Sequence, residues 1–227
     1  MTAYNYLLED SYKRRLTQYQ YLLRSLHPSI KSKVKRLVDI VGGLFGLGIT
    51  MIIAIPIAIS MAISDPGPLL YSQVRCGLHG RPFRIWKFRS MVVGADKMKH
   101  LVKNEASGHI FKNTNDPRIT CLGAFLRRTS IDEFPQFWNV LVGDMSLVGT
   151  RPPTVDEVEK YDPHHWERLK VKPGITGEWQ VNGRSTVKDF EDIVKMDIDY
   201  QRKWSLGYDL SLIFKTIQVV FNKSGAC

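Results

Sequence analysis

Cysteine is scarce in this chain and poorly placed for chemistry. Cys76, Cys121 and Cys227 are odd in number and far apart, with no CxxC and no Cys/His pair at metal-ligand spacing. That excludes a disulfide framework and a zinc module, and it points to a reducing cytoplasmic setting. His164 and His165 are adjacent but lack a third ligand at helical spacing, so they read as loop or surface residues. Internal repeats and low-complexity tracts are absent, which excludes solenoids and propellers. No nucleic-acid module signature occurs, and the basic charge does not run along the folded part, so nucleic acid is excluded as a partner.

What the chain has in excess is positive charge at one end. Its 227 residues, 44% hydrophobic and 24% charged, suit one domain with an appendage. Of the net charge of +10, residues 1–36 carry +6, from eight Lys or Arg against Glu9 and Asp10. A basic leader ahead of an apolar run suits an anionic lipid surface, worth about 1 kcal/mol per Lys or Arg. Tyr4, Tyr6, Tyr12, Tyr19 and Tyr21 are interleaved with these cations. Residues 1–34 therefore read as an amphipathic arm on membrane lipids, or as an oligomerisation arm that would build a homodimer.

From Ile40 to Ile63 the chain has 24 residues without a charge. That length crosses a bilayer core of about 30 Å at 1.5 Å per residue. The run starts too late and is too long for a cleavable leader. Pro56 interrupts it and predicts either a kinked spanning helix or a break at which the segment turns back. Lys35 and Arg36 shortly precede Asp39, and the three are predicted to pair where the chain meets the headgroups. The excess of cations places residues 31–36 on the cytoplasmic side. A spanning helix would then send residues 65–227 outward; if those residues handle nucleotides, residues 35–64 must instead break at Pro56 and return to the same face.

Asp65-Pro-Gly-Pro68 ends the membrane segment. Residues 69–75 and 83–91 read as strands joined by the turn-prone 76–82, a hairpin. Helices are predicted near 93–105, around 133–143 and over 209–221. The fold class is α+β, a small domain over 65–227 lying on a membrane.

Asp132 and Glu133 stand side by side before Pro135, which belongs in a helix's first turn. Neighbouring helical residues point about 100° apart, so one carboxylate can act as nucleophile while the other binds a divalent cation. Ser130-x-x-Glu133 is also a capping box, the structural alternative. Cations suited to phosphate recur at Lys87, Arg89, Arg127, Arg128, Arg151 and Arg184, with Gln180 assigned as a further substrate contact.

These motifs occur in order: VKRLVDI, the proline-interrupted apolar run, GPLLYSQVRCG, FRIWKFRSM, NDPRITCLG, RRTSIDEFPQFWNVLVGDMSLVGTRPP and KPGITGEWQVNGR. Over roughly residues 33 to 225 the chain resembles the bacterial sugar transferase family of polyprenyl-phosphate phosphoglycosyl transferases, in its monotopic form. The resemblance implies a re-entrant membrane helix with its catalytic domain on the cytoplasmic face of the bacterial inner membrane. It also implies Mg²⁺-dependent transfer of a hexose-1-phosphate from a UDP-sugar to polyprenyl (undecaprenyl) phosphate, initiating exopolysaccharide, capsule or O-antigen synthesis. By the same resemblance Asp132 attacks the β-phosphate and releases UMP, Glu133 binds Mg²⁺, and Arg151 contacts the nucleotide or its phosphate. Asp197 and Asp209 match acidic positions of the family. Departures are Ile55 before Pro56, where a serine is common, and GTRP in place of GPRP. Longer relatives carry several transmembrane helices ahead of this unit, which makes this a short form or a truncation. Two rival readings are a glycosyl transferase that releases UDP and a membrane-anchored scaffold without activity.

Overall fold

Ser32 opens the longest helix of the molecule, its hydroxyl accepting the Lys35 N–H at 3.2 Å as an N-cap. Helix α1 then runs Lys33–Ser64, about 48 Å at 1.5 Å per residue. The structure is a computed structural model that describes residues 12–19, 26–111, 113, 115–183, 187 and 189–221. By length and composition α1 is apolar enough to cross a membrane. Pro56 lies inside it, and the helix continues through to Ser64 rather than ending at the predicted break. Packing on both sides explains the continuity. Ile53 and Ala54 before the proline, and Ile57 and Met61 after it, share one apolar cluster with Phe88 and Leu126.

One face of α1 touches the rest of the fold along its whole length. Lys35 pairs with Asp209 at 2.5 Å, and Arg36 donates to the Val140 and Leu141 carbonyls at 2.7 and 2.6 Å. Asp39 accepts from the Ser146 hydroxyl at 2.8 Å and the Leu147 N–H at 2.9 Å. The predicted pairing of Lys35 and Arg36 with Asp39 is thus corrected. All three reach into the domain, where buried carbonyl, carboxylate and amide groups require partners. Farther along, a Cβ on Gly46 would stand 2.4 Å from the Phe137 ring, so only glycine allows that approach. At the far end Arg89 pairs with Asp65. The opposite face of α1 is apolar and exposed at Val41, Phe45, Ile52, Ile55, Ile59 and Ile63.

Beyond α1 the predicted hairpin is present. Strands β1 (Leu70–Cys76) and β2 (Pro82–Phe88) pair antiparallel, with Leu70 opposite Phe88 and Cys76 opposite Pro82. Their turn uses the left-handed φ of His79 and Gly80. The helix predicted near 93–105 is a 3₁₀ stretch, Ala95–Leu101. Then come α2 (Cys121–Arg128), α3 (Gln136–Val142), β3 (Ser146–Val148), α4 (Val155–Val158) and a 3₁₀ stretch, Pro163–Lys170. Strand β4 (Gly174–Thr176), α5 (Glu178–Asn182), α6 (Phe190–Lys203) and α7 (Leu206–Phe221) complete the order. Strands β3 and β4 pair in parallel, a second small sheet too short for its pattern to be read in sequence.

The largest core cluster gathers Cys76, Val158, Tyr161, Trp166, Phe190 and Ile193. Helical residues 12–19 join it: Tyr12 is buried and its hydroxyl donates to the Gly80 carbonyl, while the Tyr19 ring lies 5.1 Å from Trp166. The described part of the basic arm thus packs into the domain core. Tyr4, Tyr6 and Tyr21 lie outside the described residues.

Candidate active site

Arg127 and Arg128 close α2, and the chain then turns sharply at Ser130, whose φ of 58° is rare for a residue with a Cβ. The turn places Ile131–Glu133 in a single 3₁₀ turn just before Pro135, the N-cap of α3. Ser130 makes no capping hydrogen bond, so the capping box is not formed. Glu133 reaches strand β2 instead, where its Oε1 accepts from Lys87 Nζ at 2.9 Å. Asp132, 4% exposed, lies beside it in the same turn.

Asn139 fixes this arrangement to the hairpin. Its Oδ1 accepts the Trp86 N–H at 3.2 Å and its Nδ2 donates to the Arg84 carbonyl at 2.8 Å. Sequence reasoning missed it, although an asparagine inside the apolar helix text QFWNVLV is a signal for a buried polar brace.

The hairpin forms one wall of a cavity of about 480 Å³, a volume suited to a small ligand. Tyr71, Gln73 and Arg75 face it from β1, and Ile85 and Lys87 from β2, because alternate strand positions share a face. Four predicted cations meet there: Lys87, Arg89, Arg127 and Arg151. Asp132 and Glu133 are not lining residues, and Glu133 joins the cavity through Lys87. Arg128 is exposed and Gln180 sits on α5, both outside the lining. Arg184 lies outside the described residues.

Arg151 is held by Glu157 at 3.0 Å, with the Trp179 ring 5.8 Å from its guanidinium. Burial opposes ionisation of Glu157, but Arg151 and Arg75 outweigh it and hold its pKa below the usual carboxylate range. Arg127 donates through Nε to the Ser90 hydroxyl at 2.9 Å. No role for Glu157 or Arg75 is evident from the sequence motifs, although Arg75 is one position of GPLLYSQVRCG. Arg75 had one signal, its even spacing from Tyr71 and Gln73 on a predicted strand.

Other candidates have structural partners. Asp197 is buried against Arg168 at 2.6 Å, and Asp209 accepts from Lys35, Tyr200 and Trp204. His164, His165 and Glu191 bring potential ligand atoms within 4.8 Å of one another. His165 is buried, which corrects the surface reading, and its Nδ1 accepts the Asp162 N–H at 2.9 Å. A neutral ring therefore keeps its proton on Nε2, which faces Glu191 at 2.7 Å, so the group is a hydrogen-bonded brace.

A family model described as bacterial sugar transferase matches residues 30–223. The chain belongs to this family. Among curated members of the family, it is 48% identical to a galactosyl transferase, CpsE, of Streptococcus agalactiae over 218 residues, covering 95% of this chain and 46% of that one. It is 43% identical over 202 residues to the undecaprenyl-phosphate galactose phosphotransferase of Salmonella typhimurium, covering 85% and 41%. A third member, the uncharacterized sugar transferase EpsL of Bacillus subtilis, is 36% identical over 192 residues, with 85% of this chain and 89% of that one covered. The chain spans a little under half the length of the first two family members. It covers most of the third.

Proposed function

We propose that this chain transfers a hexose-1-phosphate from a UDP-sugar to polyprenyl phosphate at a membrane surface, releasing UMP. The observation that carries this reading is the carboxylate turn docked on a cationic cavity: Glu133 on Lys87, with Asp132 beside it and Arg89, Arg127 and Arg151 around the cavity. Such a site lowers the repulsion between a carboxylate nucleophile and an anionic diphosphate.

In the first step a carboxylate oxygen of Asp132 bonds to the sugar-bearing β-phosphorus. The bond from that phosphorus to the bridging oxygen breaks, and UMP departs with the electron pair. In the second step a phosphate oxygen of polyprenyl phosphate attacks the same phosphorus. The aspartyl–phosphorus bond breaks and the carboxylate is restored. Lys87 holds Glu133 in place, and the arginines offset charge on the diphosphate and on departing UMP.

The donor set fits Mg²⁺. Adjacent carboxylates in one turn, one of them already holding a cationic side chain, supply the oxygen ligands that this ion combines with substrate phosphates. Glu133 would hold the ion, which when bound neutralises diphosphate charge.

The membrane reading rests on α1. Both of its ends are tied to one domain, by Lys35 and Asp39 at the start and by Asp65 to Arg89 just past the end, while its outer face is apolar. A helix so tied keeps both ends on the domain's side of the membrane and presents its apolar outer face to lipid, with the domain on the cytoplasmic face of the inner membrane. The name of one relative, the undecaprenyl-phosphate galactose phosphotransferase, supports the lipid acceptor and the transfer of a phosphosugar.

Intact-mass analysis after incubation with UDP-hexoses and Mg²⁺, without polyprenyl phosphate, tests the covalent step. The expected result is a gain of one hexose phosphate on the peptide containing Asp132. An unmodified protein that still turns over when the lipid is added would contradict it.

A further inference from the structure

The cavity's arginines divide into two groups. Arg89 is paired with Asp65, Arg118 with Asp116 and Arg151 with Glu157. Arg75 is different. Among the described residues it forms no ion pair, and its two hydrogen bonds go to neutral acceptors, the Pro152 carbonyl at 3.1 Å and Gln73 Oε1 at 2.8 Å. Its Nε is buried without a partner. Arg75 and Arg151 both act on the carboxylate of Glu157, so two guanidiniums share one partner there.

That sharing has a cost. Burial, and then the charge of Arg151, push the Arg75 pKa down to about 10, while Glu157 and more weakly Glu133 act in the other direction. An anion brought against the guanidinium offsets the cost, and a phosphate matches its planar fork.

Position along the hairpin says which phosphate. Tyr71 faces Lys87 across the ladder, at the carboxylate end of the cavity. Arg75 is four residues further along β1, about 13 Å at 3.3 Å per residue. The sugar-bearing phosphate belongs beside the carboxylates, which leaves Arg75 at the nucleoside end.

We propose that Arg75, together with Arg151, binds the phosphate that stays with the nucleoside and leaves in UMP. This rests on the phosphoglycosyl transfer reading above and gives a role to Arg75, which lies in the GPLLYSQVRCG motif but has none in that reading.

The test is calorimetric binding of UMP and of uridine to the full chain in lipid, for wild type, Arg75→Gln and Arg75→Lys. The preference of wild type for UMP over uridine is expected to shrink by about tenfold to a hundredfold in Arg75→Gln, the loss of a charge-assisted contact. Uridine affinity should hold, and Arg75→Lys should restore part of the preference. Equal loss of both ligands would make Arg75 a structural strut and overturn the proposal, as would an unchanged preference. Should Arg75→Gln not fold, Arg75→Lys decides alone: a UMP preference equal to wild type overturns the proposal, and a several-fold drop at constant uridine affinity upholds it. A wild type that binds neither ligand overturns the transfer reading itself, and this assignment with it.

Discussion

Lys87 and Glu133 meet at 2.9 Å across the gap between strand β2 and the 3₁₀ turn that also holds Asp132. The contact joins the two halves of the candidate site. Its side chains are 27% and 24% exposed, so solvent screens it and its value to the fold is small.

Lys87→Gln should therefore change stability by less than about 1 kcal/mol. Turnover should fall by at least about a hundredfold, the scale for losing one positioned cation or donor in a reaction that develops charge. Glu133→Gln should behave alike, and the double variant should lose little more than either single one, because the pair acts as a unit. Additive losses, or an unchanged rate, would contradict this.

The docking of α1 rests on close approach. A Cβ at position 46 falls 2.4 Å from the Phe137 ring, whereas one at Gly48 meets nothing within 4 Å. Gly46→Ala should cost about 1 to 3 kcal/mol of overpacking, and Gly48→Ala should gain about 0.5 to 1 kcal/mol of helix propensity. Thermal unfolding of both variants in lipid checks the pair, and equal effects would mean that α1 does not lie on the domain.

Burial lowers the His165 pKa below its usual value, although the hydrogen bond to Glu191 acts in the other direction. The folded state then binds fewer protons than the unfolded chain between the lowered value and about 6.5, so stability falls as pH drops through that window. His165→Asn keeps an acceptor for the Asp162 N–H and should flatten the melting temperature between about pH 7 and pH 5. A slope unchanged from wild type would place the titration elsewhere.

The hairpin was legible because alternation, a turn-rich linker and two strand-like runs agreed, and the carboxylate turn because Pro135 marks a helix start. The parallel pairing of β3 with β4 was not. Each strand has three residues, too few for a period to show, and their partnership is set by packing across some thirty residues of chain. The partners of Lys35, Arg36 and Asp39 were misjudged for a related reason. Sequence proximity suggested that they pair with one another, yet their partners lie more than a hundred residues away. The rule that buried polar groups find partners gives no address for them. Arg75 was overlooked because a lone arginine on a strand looks like any solvated cation until its neighbours are known.

The most direct test of the central claim is the nucleotide released by the purified chain in lipid with Mg²⁺, polyprenyl phosphate and a panel of UDP-hexoses, wild type beside Asp132→Asn. The account predicts UMP from wild type with at least one donor, and none from Asp132→Asn. UDP from wild type, or UMP undiminished in Asp132→Asn, would contradict it.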